Sequence, residues 1–246
     1  MKKIFILVSI LMLIISSSAF AANKNITAVA DLWPPFVDPE NPKQGLSMEV
    51  VRAAYEIQGY QVTLKIVPWA RAKAYVKEGV YDIIPNTWKT DARKKFLHYS
   101  NSYATNQIKF IKRKGDSFEY DGLKSLAGKT VGTIIGYGYG DAFLNDASFR
   151  REDSPNLITN IKKLVINRLD LVLEDEIAAK AIIAKEDSSL FDKIVFGNNT
   201  FSGNDLYVTC GLKNPRHKEL IDAFNKGLKE IKSNGTYKKI FEGYGM

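Results

Sequence analysis

Arg93 is the residue of this chain that is best placed to bind an anion. It follows a predicted short strand at residues 81–84 and a polar turn at residues 86–90. Ligands bind at the carboxyl ends of strands in open α/β sheets, and an arginine just beyond such a strand lies there. Its planar guanidinium group can hold a carboxylate through two parallel hydrogen bonds. The spacing predicts a carboxylate site, although a surface arginine or a partner for a structural carboxylate fits the same pattern.

An acidic run, Glu174, Asp175 and Glu176, follows a predicted buried strand at residues 169–173. Consecutive side chains on a turn point in different directions, so at most two of these carboxylates can reach a shared centre. Asp175 could cap the following helix or bind a cationic group. Glu174 or Glu176 could act as an acid or base, but no nucleophile–base pair or G-x-S-x-G segment accompanies them.

The other reactive side chains indicate neither a metal site nor a cofactor. Cys210 is the only cysteine and lies in an apolar run, where a buried, inert thiol is expected. His98 and His217 are too few and too distant in sequence to indicate a metal site. The glycine-rich turn at residues 136–140 is similar to part of a dinucleotide fingerprint, but Asp141 stands where the third glycine is needed. We therefore expect no cofactor.

Aromatic residues stand close to these charged groups in the sequence. Trp33 lies on a loop that Pro34 and Pro35 stiffen, because two prolines prevent a helix or strand from continuing. Trp69 begins a predicted helix that Gly79 ends, and it precedes the polar turn. These tryptophans could line a binding cleft or belong to the core.

The elements that position these residues form two successive α/β patterns, separated near the charged segment 112–116. The first pattern has strands at residues 26–30, 61–67 and 81–84 and helices at 47–58 and 69–78. The second has strands at residues 129–134, 169–173 and 193–196, with helices between them. The strand–helix–strand order predicts parallel pairing with right-handed crossovers. The last strand, 205–211, and the terminal helices have no sheet of their own, so we expect them to return to the first unit.

The amino terminus and the composition indicate an exported protein. A basic start, an apolar run at residues 4–15 and a small-x-small pattern at 19–21 predict a signal peptide over residues 1–21, without a nearby cysteine for a lipid anchor. The net charge is +8, but the basic residues are scattered, so we expect no nucleic-acid binding. An apolar fraction of 45% supports an ordered core.

Six segments, in order along the chain, share the pattern of one known family. They are Trp33-Pro34-Pro35-Phe36, Trp69 with Gly79 and Asp82, Thr90-Asp91-Ala92-Arg93, Tyr99-Ser100-Asn101-Ser102-Tyr103, Gly128-Lys129-Thr130-Val131-Gly132, and the strand before Asp175-Glu176. From about residue 26 to residue 241, the chain resembles the bacterial periplasmic solute-binding proteins of family 3, the polar amino-acid type.

The resemblance implies an α/β fold of two lobes, the type II or Venus-flytrap architecture, with two hinge strands. Lobe 1 would comprise residues 22–110 and 207–246, and lobe 2 residues 111–206. The implied function is to capture a small zwitterionic or anionic, amino-acid-like solute in the periplasm by hinge closure. A monomer without enzymatic activity would deliver the solute to the membrane subunits of an ABC importer. A ligand-sensing partner of a membrane receptor and a dehydratase-like enzyme on the same fold are the alternatives.

The resemblance also implies site residues. Arg93 would bind the carboxylate of the ligand and Asp175 its ammonium group. The other expected ligand-binding residues are Trp33, Trp69, Arg71, Asn86, Trp88, Gly136, Tyr137 and Gly138. Within this set, the glycine-rich turn would offer backbone N–H groups at a helix N-terminus. Trp88, Tyr137 and Arg71 depart from the usual family pattern, so a more aromatic and more cationic cleft is expected, and the ligand stays unidentified.

Overall fold

A computed structural model describes residues 24–246, and the predicted signal peptide lies outside the described residues. Within residues 24–246, the strands form one eight-stranded sheet in the order β2-β1-β3-β8-β4-β7-β5-β6. The strands are β1 (Asn25–Ala30), β2 (Gln61–Ile66), β3 (Ile83–Trp88), β4 (Leu97–Arg113), β5 (Thr130–Ile134), β6 (Arg150–Ser154), β7 (Leu171–Asp175) and β8 (Ile194–Gly211).

Helices connect these strands in both halves of the sheet. They are α1 (Leu46–Glu56), α2 (Trp69–Lys77), α3 (Asp91–Lys94), α4 (Asp141–Asn145), α5 (Leu157–Val165), α6 (Glu176–Glu186), α7 (His217–Ser233) and α8 (Thr236–Gly243), with short 3₁₀ turns at Leu123–Leu126 and Ser188–Asp192. Within residues 24–246, no helix has the length and apolar character that a membrane span requires.

Two long antiparallel strands, β4 and β8, join the two halves. They pair from Leu97 opposite Gly211 to Arg113 opposite Ile194. On one side, β3 continues the sheet to β1 and β2; on the other, β7 continues it to β5 and β6. We call these the first half and the second half. The predicted parallel pairing is confirmed within each half, for β1 with β2 and β3 and for β5 with β6 and β7.

The predicted lobe boundaries fall inside the two joining strands. Strand β4 runs through position 110 and strand β8 runs through position 207 without interruption. The division into residues 22–110 with 207–246 and residues 111–206 therefore stays a prediction, but it coincides with the strands that cross from one half to the other.

The terminal helices return to the first half, as the sequence predicts. Helix α7 packs on helix α1, where the Tyr55 hydroxyl donates to the Leu220 carbonyl at 3.1 Å. Gly227 allows the close approach, because a Cβ atom at this position would lie 1.8 Å from the Ala54 carbonyl oxygen. The Tyr103 hydroxyl, on β4, ties the same layer to the sheet, because it lies 2.8 Å from the Ser47 hydroxyl of helix α1 and 2.9 Å from Pro85 O of strand β3. These contacts anchor the core beneath the carboxyl end of β3.

The predicted strands at 193–196 and 205–211 are one continuous strand, β8, so their division is wrong. Two further predicted strand limits are wrong, and both bear on the site. Strand β3 covers Ile83–Trp88 instead of residues 81–84, so Asn86 and Trp88 lie on a buried strand and not on a polar turn. Pairing with β8 continues to Trp88 across an irregularity between Ile84 and Thr87, around a proline that has no N–H to donate. Likewise, Glu174 and Asp175 end strand β7, because its pairing with β4 continues to Asp175.

Candidate ligand-binding site

A small cavity lies where the first half meets the loop that follows β5. It encloses about 20 Å³ and is lined by Asp31, Trp33, Trp69, Asn86, Trp88, Arg93 and Tyr137. Six of the ten predicted site residues are in that set. A space of this size holds about one water molecule, so no amino acid fits while these side chains keep their positions.

Arg93 is held at this cavity by helix α3. Thr90 caps the helix by accepting the Arg93 N–H at 3.2 Å, and the Arg93 side chain is 5% exposed. Its guanidinium group donates through Nη1 to Trp88 O at 2.7 Å and through Nη2 to Gly136 O at 3.0 Å. The group also lies over the Trp69 ring, 5.0 Å from the centroid. Burial lowers the pKa of Arg93, yet an arginine stays charged in proteins. Within residues 24–246, no carboxylate forms an ion pair with this charge.

The carbonyl of Gly136 is the main polar contact between the halves at this point. It accepts from Arg93 Nη2, from Trp69 Nε1 at 2.9 Å and from Lys73 Nζ at 3.3 Å. Gly138 packs directly on Arg93, because a Cβ atom there would lie 3.2 Å from the Arg93 Cζ atom. The sequence predicts backbone N–H groups from this loop as ligand donors. The structure instead directs a carbonyl at Arg93, and the Tyr137 N–H donates to Ile134 O.

Tyr137 fills most of the space between the tryptophans. Its ring meets Trp88 edge to face at 5.4 Å and Trp69 at 6.1 Å between centroids. Its hydroxyl donates to Asp31 Oδ2 at 3.3 Å. Burial raises the pKa of Tyr137 well above its usual value, so the phenol is a neutral donor. Among the described residues, Tyr137 is the one lining residue of this cavity that comes from the second half, and its ring narrows the space by contacting both tryptophans.

Asp31 and Glu174 are two acidic groups of the site that the sequence analysis did not assign to ligand binding. Asp31 directly follows β1 and is half-buried, and Glu174 is the second-last residue of β7 and is 1% exposed. Burial raises the pKa of Asp31 to about 7 and that of Glu174 to about 8. Within residues 24–246, neither forms a salt bridge. The rule that pointed to Arg93, a polar residue at a strand's carboxyl end, also applies to both.

Asp175 and Arg71, with Gly136 and Gly138, are the four predicted residues that do not line this cavity. Asp175 is fully buried as the cap of helix α6, where Oδ1 accepts the Ala178 N–H at 2.7 Å and Oδ2 accepts the Gln107 N–H at 3.2 Å. Burial raises the pKa of Asp175 to about 6, while those hydrogen bonds oppose the increase. Arg71 is exposed on helix α2. Ligand roles for Asp175 and Arg71 stay predictions.

A wider cleft of about 810 Å³ opens beside the small cavity. The two spaces share Asp31, Trp33, Trp69 and Tyr137, and Glu174 lines only the wider one. Its apolar walls come from both halves: Leu32, Pro34, Ile66 and Pro68 on one side, and Ile135, Leu157, Ile158 and Ile182 on the other. Within residues 24–246, no group of three or more histidine, cysteine or acidic side chains is arranged to hold a metal ion.

Salt bridges add a further contact between the halves at the edge of this cleft. Lys185, from helix α6, lies 2.8 Å from Glu40 and 3.4 Å from Asp38, which follow β1 in the first half. With the bonds to Gly136 and Asp31, these contacts hold the halves together through groups of the protein alone.

Known proteins share this fold and sequence pattern. The arginine-binding extracellular protein ArtP of Bacillus subtilis is 24% identical over 92% of this chain and 87% of its own length. The L-cystine-binding protein TcyJ of Escherichia coli K12 is 24% identical over 85% of this chain and 78% of its own length. An ancestral arginine-binding protein bound to arginine superposes with a TM-score of 0.76 at 25% identity, covering 89% of this chain and 97% of that one. The predicted two-lobe, type II α/β fold is thereby confirmed.

The resemblance inferred from six short segments extends over nearly the whole described chain. The family pattern matches residues 26–246, from the first strand to the last residue. The two relatives named above are an arginine-binding and a cystine-binding protein. This chain belongs to the bacterial extracellular solute-binding proteins, family 3.

Proposed function

We propose that this chain is an exported periplasmic binding protein that captures a small amino-acid-like solute, zwitterionic or anionic, between its two halves. In this proposal, the closed monomer delivers the solute to the membrane subunits of an ABC importer. One observation carries the ligand class: Arg93 is a buried cation on helix α3, and within residues 24–246 its guanidinium group donates only to the backbone carbonyls of Trp88 and Gly136. The relatives named for binding arginine and cystine support an amino-acid-like ligand.

A carboxylate is a better partner for Arg93 than the carbonyl of Gly136. The carbonyl accepts one hydrogen bond from Nη2, whereas a carboxylate accepts two parallel bonds and carries a full negative charge. The exchange requires the Gly136–Tyr137 segment to withdraw, because the present cavity admits about one water. Rotation about the joining strands β4 and β8 withdraws this segment together with the second half.

Ligand binding then shifts the balance between open and closed forms. A ligand that contacts both halves stabilises the closed form by its differential affinity for the two states. Here the ligand replaces contacts that the protein already makes to itself at Gly136 and Asp31. The difference in free energy between the ligand contacts and these internal contacts therefore determines the affinity.

Arg93→Gln tests the carboxylate assignment. The ligand-stripped protein is titrated by calorimetry with arginine, cystine, glutamine and other amino acids, and Arg150→Gln, which removes an exposed arginine from strand β6, is the control. We expect affinity for the best amino acid to fall at least tenfold in Arg93→Gln, since one charge-assisted bond contributes about 1.5–3 kcal/mol. Affinity within twofold of the unmodified protein in Arg93→Gln would reject the assignment.

A further inference from the structure

Three side-chain oxygen acceptors near the junction of the two cavities, from the buried residues Asn86 and Glu174 and the half-buried Asp31, have fewer donors than they can bind. Asp31 accepts from the Tyr137 hydroxyl, and Glu174 accepts the Asp175 N–H. Asn86 is 6% exposed, lines the small cavity together with Asp31, and within the described residues its side-chain oxygen has no hydrogen-bond donor. Buried acceptors without donors are destabilising, which indicates that a donor-rich group binds there.

The charges around these acceptors complement a cation. Asp31 comes from the first half and Glu174 from the second, and both line the wide cleft together with Tyr137, whose hydroxyl donates to Asp31. Lys73 and Arg93, the cations nearest to the small cavity, are bonded to Gly136 O and not to either carboxyl. Lys162, Lys185 and Glu186 line the wide cleft as exposed residues, and Lys185 is paired with Asp38 and Glu40.

The wide cleft beyond Glu174 offers an apolar surface on both sides. Leu32 is 44% exposed in the first half and Ile135 is 47% exposed in the second, and both line the cleft. Its volume of about 810 Å³ lies within the range of drug-sized ligand sites, which are mostly apolar with a few polar groups. Trp33, which lines both spaces, presents an aromatic ring beside the acidic groups, where a cation is further favoured.

We propose that Asp31 and Glu174 form a subsite for an organic cation, an ammonium or guanidinium group on an apolar body that lies in the wide cleft. This inference rests on the proposed binding role of the cleft, but not on the carboxylate assignment of Arg93. The cation replaces the Tyr137 hydroxyl on Asp31 and bridges a carboxylate from each half, so it favours the closed form. Asp175, which the family resemblance offered for this role, keeps its oxygens on the backbone of helix α6 and strand β4.

The test uses probes that carry either the cation or the carboxylate. Phenethylamine and agmatine are amines without a carboxylate, 3-phenylpropanoate has a similar apolar body with a carboxylate and no amine, and phenylalanine carries both groups. Binding is measured by calorimetry on the full mature protein, on Asp31→Asn and on Glu174→Gln. Glu186→Gln is the matched control, because it removes an exposed carboxylate from the same cleft. Circular dichroism confirms that each variant is folded.

We expect an amine to bind the unmodified protein and to lose at least tenfold in affinity in both Asp31→Asn and Glu174→Gln. The control should stay within twofold, and 3-phenylpropanoate should not depend on either acidic residue. No binding of either amine, or equal losses in the control and the two variants, would overturn the inference.

Arg93→Gln separates this inference from the proposed function. Loss of phenylalanine affinity in Arg93→Gln, without an effect of Asp31→Asn or Glu174→Gln on any amine, keeps the carboxylate assignment and overturns the cation subsite. Amine affinity that depends on Asp31 and Glu174, with phenylalanine affinity unchanged in Arg93→Gln, supports the cation subsite and rejects the carboxylate assignment.

Discussion

Glu174→Gln should stabilise the ligand-free protein above neutral pH and flatten its pH dependence. Burial raises the pKa of Glu174 from 4.5 to about 8, so the folded state prefers the protonated carboxyl. Its contribution to stability is complete below the unfolded pKa and is lost as the pH rises through the folded pKa. One pKa unit corresponds to about 1.4 kcal/mol, so Glu174 alone lowers the free energy of unfolding by about 2 kcal/mol between pH 6 and pH 8.

Glutamine keeps the local contacts of Glu174 while removing its ionisation. The side-chain oxygen still accepts the Asp175 N–H, which lies 2.9 Å from Glu174 Oε1. Burial also raises the pKa of Asp31, to about 7, so this residue likewise lowers the stability of the folded state as the pH rises. Asp31 remains in the variant. The pH dependence should therefore decrease by about 2 kcal/mol over this window without disappearing.

Urea unfolding at pH 6 and pH 8 measures this difference. We compare the unmodified protein with Glu174→Gln and with the control Glu176→Gln. Glu176 is a suitable control because it is half-buried but paired with Lys109 at 2.7 Å, and this pairing helps to lower its pKa. The control should keep the full pH dependence. An equal loss of stability from pH 6 to pH 8 in Glu174→Gln and in the unmodified protein would refute the idea that Glu174 is buried without a counter-charge.

Two further changes test the packing around the site. Tyr137→Ala should remove edge-to-face contacts of about 0.5–1.5 kcal/mol each and open the unliganded protein. Small-angle X-ray scattering should then give a larger radius of gyration than for the control Tyr75→Ala. An unchanged radius would contradict the role of Tyr137 in closure. Gly227→Ala should lower the free energy of unfolding by about 1–3 kcal/mol, because its Cβ atom would lie 1.8 Å from a carbonyl of helix α1. Gly243→Ala is the helical control, since nothing lies within 4 Å of a Cβ atom there. Equal stabilities of Gly227→Ala and Gly243→Ala in denaturant would show that the α1–α7 contact relaxes freely.

Local patterns predicted the framework of the site because they report on single elements. Alternation, helical spacing and glycine stops indicated the parallel units that the sheet contains. The strand-end rule indicated Arg93, and the structure places it beside Trp69 and Trp88, because the carboxyl end of β3 leads directly into helix α3. Its ligand role stays a prediction. The extent of β3 was not predicted, since Asn86 and Trp88 look like turn residues until β8 supplies their hydrogen-bond partners.

Residue types and chain order, together with the family resemblance, predicted an exported, two-lobe binding protein with a cation at a strand end. The packing of one half against the other decided what surrounds that cation. Only the tertiary structure placed Gly136 O on Arg93 and the Tyr137 ring in the cavity, because these contacts join residues more than 40 positions apart. It also decided which carboxyl oxygens the backbone already binds. Asp175 and Glu174 are neighbours in sequence, but backbone N–H groups donate to both carboxylate oxygens of Asp175. Glu174 instead lines the wide cleft without a counter-charge, and desolvation there raises its pKa.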